Sequence, residues 1–221
     1  MHTHSKEFQL NLTPEKAYEV LIEGNERFRN NIKKNRDLLK QMSDTSTGQY
    51  PFAVALSCMD SRTSVELIFD QGIGNIFSIR IAGNIINEDI LGSMEYACKV
   101  VGAKVIVILG HTHCGAIKGA CDNVQLGNLT SLLDKIQPVV QQTAEDNDRK
   151  DKNFPDKVAH ANVTHTIEEV LDKSPIIREL YEKGTIGILG AMYSVEKGEV
   201  TFIKEMLPNA TVDQYQQMET V

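Results

Sequence analysis

Apolar residues along this chain gather into four short unbroken runs, and between them the apolar positions recur at helical spacing. The first run, Pro51-Phe52-Ala53-Val54-Ala55-Leu56, ends at Ser57-Cys58; the others occupy residues 76–79, 105–109 and 186–190. Runs this short, with no polar alternation, suit strands covered on both faces. Asn87-Glu88-Asp89 combines a capping side chain with acidic residues, and Ile90, Met94, Ala97 and Val101 follow on one helical face. Thr13-Pro14-Glu15 marks another helix start, with Ala17, Val20, Leu21 and Phe28 carrying the pattern to about Lys34.

Strands and helices alternating at these lengths imply βαβ units. The expected fold is α/β, a mostly parallel sheet of four core strands covered by helices, with an N-terminal helical arm over residues 1–40. Val200-Thr201-Phe202-Ile203, after the Lys197-Gly198 turn, adds an edge strand. Pro138 is expected to end or kink a helix, and the charge-dense residues 145–157 to form a solvated loop. The whole of residues 1–221 reads as a single domain.

Composition narrows the function classes. The 221 residues are 41% hydrophobic and 24% charged, enough for a sizeable core. A net charge of -7 argues against nucleic acid as main partner, since a phosphate backbone needs a concentrated basic surface. No run approaches the roughly 18 to 20 apolar residues of a membrane span. Residues 1–7 are polar with no apolar stretch after them, so no secretory signal is expected and the cytoplasm is the default compartment. The 4 cysteines, Cys58, Cys98, Cys114 and Cys121, are too few for a disulfide scaffold and suit a metal site or buried thiols.

Two of the expected strands end in metal-type residues. Cys58-Met59-Asp60-Ser61-Arg62 follows the first, and Gly110-His111-Thr112-His113-Cys114-Gly115 follows the third. In an open parallel sheet, ligands bind beyond the carboxyl ends of strands. Two thiolates and an imidazole favour zinc, and three protein donors leave the fourth tetrahedral position open for water, the mark of a catalytic site. Because His111 and Cys114 are three apart, the start of a helix would bring both to one side, with His113 pointing elsewhere.

Paired in this way, the two motifs resemble those of the β-carbonic anhydrases, and the likeness runs from about Thr13 to Ile203. Arg80-Ile81-Ala82-Gly83-Asn84 is similar to the family's Arg-Asn-Ala-Gly-Asn loop, with Ile81 departing from asparagine, and residues 187–198 resemble its late strand and turn. The resemblance implies a zinc lyase that hydrates carbon dioxide reversibly to bicarbonate, with Cys58, His111 and Cys114 on the metal and Asp60 and Arg62 as the catalytic dyad. Zinc would lower the pKa of a bound water, and Asp60, kept ionised by Arg62, would orient the resulting nucleophile. Two thiolate donors make that water less acidic than in an all-histidine site, so activity should rise toward alkaline pH.

The resemblance also implies a subtype. Regulated relatives whose aspartate closes onto zinc use a tryptophan in a bicarbonate pocket, and this chain has 0 tryptophans. Gln49, nine residues before Cys58, together with Phe77 and Tyr96, matches the substrate pocket of the open subtype, with Gly115 beside the metal motif. That pocket is built at a subunit interface, so a homodimer or homotetramer is implied, with the N-terminal helix embracing the partner.

Plainer readings exist for each residue. A lone Cys58 would be a buried inert thiol, and a lone Asp60–Arg62 pair a structural ion pair; their joint placement favours the site. Phe77 is equally explicable as sheet core. Cys98 and Cys121 read as core thiols, His113 as a neighbour of the site, His160 and His165 as surface or packing residues, and His2 and His4 as part of a loose terminus. Two other functions use the same residues: a carbon disulfide or related hydrolase, and a closed structural zinc module with Asp60 as fourth ligand. A redox thiol protein is a weak reading, because no Cys-x-x-Cys pair is present.

Overall fold

In the computed structural model, which describes residues 4–208, the four apolar runs are strands β1 (Ala53–Ser57), β2 (Ile76–Arg80), β3 (Val105–His111) and β4 (Gly187–Tyr193), and β5 (Val200–Met206) completes the sheet. Their order is β2-β1-β3-β4-β5. β1, β2, β3 and β4 run parallel, and β5 pairs antiparallel with β4. The expected parallel sheet with an antiparallel margin is therefore present, with one change. β2 lies at the opposite edge, and its burial alternates along the strand instead of being complete; Phe77 and Ile79 are covered on one side only.

Helices α1 (Lys6–Asn11), α2 (Pro14–Arg29) and α3 (Leu38–Asp44) precede the sheet. α4 (Val65–Ile68) follows β1, and α5 (Glu88–Glu95), continued by a π-helical stretch over Tyr96–Val101, crosses from β2 to β3. Between β3 and β4 come α6 (Gly115–Cys121), α7 (Gly127–Asp134), α8 (Gln137–Asp146), α9 (Phe154–Lys173) and α10 (Pro175–Glu182). The caps work as their chemistry demands: Thr13 Oγ1 accepts from the Lys16 N–H at 3.3 Å, and Asn87 Oδ1 from the Ile90 N–H at 2.9 Å.

Three local expectations are corrected. α2 stops at Arg29 and not near Lys34, because Asn31 turns into the left-handed region (φ 53) and the Ile32 N–H folds back to the Arg27 carbonyl. Pro138 stands in the first turn of α8, which begins at Gln137, instead of ending a helix; its missing N–H is one that a first turn leaves unbonded anyway. The solvated loop shrinks to residues 147–153, its flanks being absorbed into α8 and α9. His4 is also ordered: its ring packs at 4.2 Å from that of Phe8 and 5.5 Å from that of Phe52. His2 lies outside the described residues.

The strands bury both faces, as period-2 alternation requires. Val54, Leu56, Ile106, Ile108 and Ile188 pack on one side with Met94 of α5 and with Val163 and Ile167 of α9. Ala53, Ala55, Val105, Val107 and Leu189 pack on the other with Leu21 of α2, Phe52 and Phe69. Beyond the strand ends a third cluster gathers Cys58 and Cys114 with Ile85, Ile117, Ile136 and Phe154. Cys98 is a buried core thiol as expected, while Cys121 is only half-buried.

Candidate active site

The chain leaves β1 for β2 on one side and then crosses to β3 on the other, so the carboxyl ends of β1 and β3 flank the switch point of the sheet. Cys58 follows the last residue of β1, and His111 is the last residue of β3. Cys114 is the N-cap of α6. Between the latter two, His113 takes a left-handed conformation (φ 55). One helical turn is thus not what unites His111 and Cys114; a strand end, a tight turn and a helix cap do so.

The Cys58, His111 and Cys114 donor atoms all lie within 4.8 Å of one another, and the two sulfurs are 3.9 Å apart. All three residues are buried. His111 Nδ1–H donates to the Thr112 carbonyl at 2.9 Å, which fixes the tautomer and leaves a lone pair on Nε2. That atom is buried and meets no oxygen or nitrogen partner among the described residues, an arrangement that costs free energy unless a ligand completes it. Cys114 donates to Cys58, and this bond first, with the backbone N–H groups of Gly83 and Asp60, lowers the pKa of the Cys58 thiol despite its burial. A ready thiolate, a second sulfur and an unpartnered imidazole nitrogen fit a zinc ion.

Asp60 and Arg62 stand at the rim. Arg62 grips the carboxylate bidentately, Nε to Oδ1 at 2.9 Å and Nη2 to Oδ2 at 2.7 Å, while its backbone N–H donates to Oδ1 at 2.9 Å. These bonds hold the Asp60 carboxyl well below the usual carboxylate range. Arg80, on the last position of β2, donates to the Cys58 carbonyl at 3.3 Å and also to the Asp60 carbonyl. Thr63 Oγ1 donates to the same region, 2.9 Å from the Cys58 carbonyl. Two side chains, Arg80 and Thr63, therefore pin the backbone on which the first donor and the dyad are carried.

Two supporting residues escaped sequence reasoning. Gly83 (φ 71) donates its N–H to Cys58 Sγ at 3.4 Å. Asn162 of α9, 2% exposed, donates through Nδ2 to the Gly83 carbonyl at 3.0 Å. The similarity of residues 80–84 to a known loop pointed toward Gly83, but nothing in the local pattern marked Asn162. Ile81 is partly buried against the hydrophobic core, and its N–H donates to the Ser57 carbonyl at 3.1 Å.

The expected substrate residues are dispersed within one chain. Gln49 is exposed and precedes β1, at the opposite end of that strand from Cys58. Phe77 and Tyr96 do meet, their ring centroids 6.4 Å apart, in a groove of about 630 Å³ that none of the three donors lines. Gly115 is the first residue of α6, and a Cβ added there would meet nothing within 4 Å. His113 turns away, as expected, to pair with Glu196 at 3.2 Å. His160 is exposed and His165 lies 3.7 Å from Glu169, both on α9 and outside the donor set. Among the described residues, no helix is long and apolar enough to cross a membrane.

A family model described as carbonic anhydrase matches residues 53–200. Carbonic anhydrase 2 of Mycobacterium tuberculosis is 32% identical over 194 residues, which span 85% of this chain and 92% of that protein. The carbonic anhydrase of Mycolicibacterium smegmatis is 30% identical over 197 residues, 86% and 93% of the two chains. Among solved structures, a tetrameric β-carbonic anhydrase of the filamentous ascomycete Sordaria macrospora superposes with a TM-score of 0.67 at 27% identity, covering 72% of this chain and 83% of that one. Taken with the sheet order and the buried Cys-His-Cys donor set, these likenesses establish that the chain belongs to the β-carbonic anhydrase family.

Proposed function

We propose that Cys58, His111 and Cys114 hold the zinc with which this carbonic anhydrase converts carbon dioxide and water reversibly to bicarbonate and a proton, and that Asp60 and Arg62 orient the reaction. The convergence of three buried donors on one point, with His111 Nε2 otherwise unpartnered, carries this reading. Zinc, when bound there, supplies Lewis acidity that makes a water oxygen nucleophilic at moderate pH. Asp60, ionised and acceptor-only, would accept a hydrogen bond from the attacking water and so orient it toward the substrate carbon. Arg62 keeps the carboxylate charged and pointed, and Arg80 and Thr63 keep its backbone in place.

The open form is favoured because Arg62 satisfies both Asp60 oxygens, and no carboxylate among the described residues joins the donor group. Substrate contacts by Gln49, Phe77, Tyr96 and Gly115 belong to a pocket completed by a second subunit. That reading is supported by the 53% exposure of Tyr96 and by the tetrameric relative from Sordaria macrospora. A homodimer or homotetramer acting in the cytoplasm is the assembly we propose, and sedimentation of the purified chain measures it.

Stopped-flow hydration of carbon dioxide by metal-analysed protein tests the chemistry. The wild type should carry one zinc per chain, and Asp60→Asn should keep the zinc while losing on the order of 100-fold in rate. An Asp60→Asn enzyme at full speed would remove Asp60 from the mechanism, and a chain without zinc would remove the three ligands.

A further inference from the structure

The turn from His111 to Cys114 carries two of the three donors, so its backbone geometry decides where both meet a metal. Its left-handed residue, His113 (φ 55), adopts a conformation that costs a non-glycine residue about 1–2 kcal/mol. The N–H of this residue donates to Asp156 Oδ1 at 2.8 Å. Asp156 lies 43 residues further along the chain, in the first turn of α9. A carboxylate suits that place for two reasons: it meets the positive end of a 20-residue helix, and an ionised acceptor strengthens its bond to a backbone amide.

Other contacts show how closely α9 follows this backbone. A Cβ on Gly110, the residue before His111, would sit 2.6 Å from Val163 Cγ2 and 3.5 Å from the Ala159 carbonyl oxygen. Asn162, on the same helix, holds the Gly83 loop whose N–H meets the Cys58 sulfur. α9 therefore touches the chain just before His111, between His111 and Cys114, and on the Gly83 loop that meets Cys58. Asp156 itself is not one of the converging donors.

We propose that Asp156 is a positioning residue for the metal donors: by accepting from the His113 N–H, its carboxylate sets the turn that aims His111 and Cys114 at one point. The inference rests on the metal reading above, and the test separates the two. Zinc affinity of the full-length chain is measured by competition with a chromogenic chelator, thermal unfolding is followed with and without zinc, and the cobalt(II)-loaded protein gives a spectrum of the donor geometry. Asp156→Ala should bind zinc 10- to 100-fold more weakly, narrow the gap between metal-free and zinc-loaded Tm, and shift the cobalt bands. Asp156→Asn retains an oxygen acceptor and should stay within about threefold of wild type, being weakened only by the lost charge.

Should the alanine variant fold poorly without metal, Asp156→Ser keeps a polar group in the first turn of α9 yet falls short of the amide, and should show the same losses. An alanine or serine variant with wild-type zinc affinity and an unchanged cobalt spectrum overturns the proposal. So does an asparagine variant that loses as much as alanine, since charge and not acceptor position would then be responsible. If the wild type itself binds no zinc, the metal reading falls first, which is a different and recognisable result.

Discussion

Gly83 aims its backbone N–H at Cys58 Sγ across 3.4 Å while sitting in the left-handed region at φ 71. Donation to a sulfur stabilises its thiolate form, so this amide helps keep Cys58 ready for a metal. Gly83→Ala should damage both fold and site. A Cβ there would lie 2.8 Å from Ile136 Cδ1, and alanine at positive φ adds strain of about 1–2 kcal/mol. Urea unfolding of the metal-free protein should show that loss, and chelator competition should show weaker zinc binding; a variant equal to wild type in both would contradict the assignment.

Arg62→Lys tests geometry apart from charge. Lysine keeps the charge but cannot make two parallel bonds to Asp60. Arg62 is largely exposed, so the pair contributes little to stability and the variant should fold with an unchanged Tm. Because Arg62 lowers the Asp60 pKa, the aspartate of the variant titrates closer to the ordinary range of about 4, still ionised at neutral pH. Carbon dioxide hydration should therefore fall by roughly tenfold or more, evenly across neutral and alkaline pH, with zinc content constant. A loss confined to acidic pH would mean that Arg62 acts only by keeping the charge.

Asp70 ties the N-terminal segment to the body. Its side chain is 2% exposed and accepts from Arg27 Nε at 2.7 Å, from the Lys34 N–H at 3.3 Å and from Arg36. Burial pushes its pKa up, but the bonds from Arg36 and Arg27 outweigh burial and the net shift is downward. A folded pKa below the unfolded one means this stabilisation is full above the ordinary carboxylate range and lost as pH falls through the lowered value. Asp70→Asn keeps the left-handed backbone (φ 46) tolerable but removes the carboxylate from Arg27 and Arg36, which among the described residues retain only Glu23 at 3.6 Å and backbone carbonyls, and should cost about 1–3 kcal/mol at neutral pH. Denaturant midpoints of wild type and variant should converge on acidification; parallel curves would show that Asp70 is not the responsible group.

His4 makes α1 sensitive to mild acid. Burial, then the charges of Lys34 and Arg36, bring its pKa from 6.5 down to about 4. The neutral ring is the one that fits, so its contribution is full above pH 6.5 and drains away as pH falls toward 4. The protection factors of the α1 amides, corrected for intrinsic exchange at each pH, should fall between neutral pH and about pH 5, and His4→Phe should abolish that fall. Protection with the same pH profile in both proteins would place the sensitivity elsewhere.

Much of the fold was legible because the responsible forces are local. Unbroken apolar runs required burial on both faces, and four of them are strands. Thr13 and Asn87 read correctly as caps, since a side-chain oxygen three residues before an orphan N–H needs no tertiary partner. Pro138 misled because proline is compatible with a first turn as well as with a break. The long helix α9 was underread because its buried face includes Asn162 and Thr166, polar residues that suggest solvent until their backbone partners are known. His4 looked like loose terminus for the same reason: Phe8 and Phe52 supply its burial, and Phe52 is distant in sequence.

By itself, then, the sequence determined which atoms could bind a metal and that they would stand at the ends of buried strands, because donor chemistry and hydrophobic runs are properties of neighbouring residues. Tertiary structure alone decided that Cys58 comes within 3.9 Å of Cys114 and that Asn162 and Asp156 brace the donor loops from α9. Those contacts depend on strand order and on a helix returning across the sheet. They join residues as much as 79 positions apart, a separation over which no local pattern carries information.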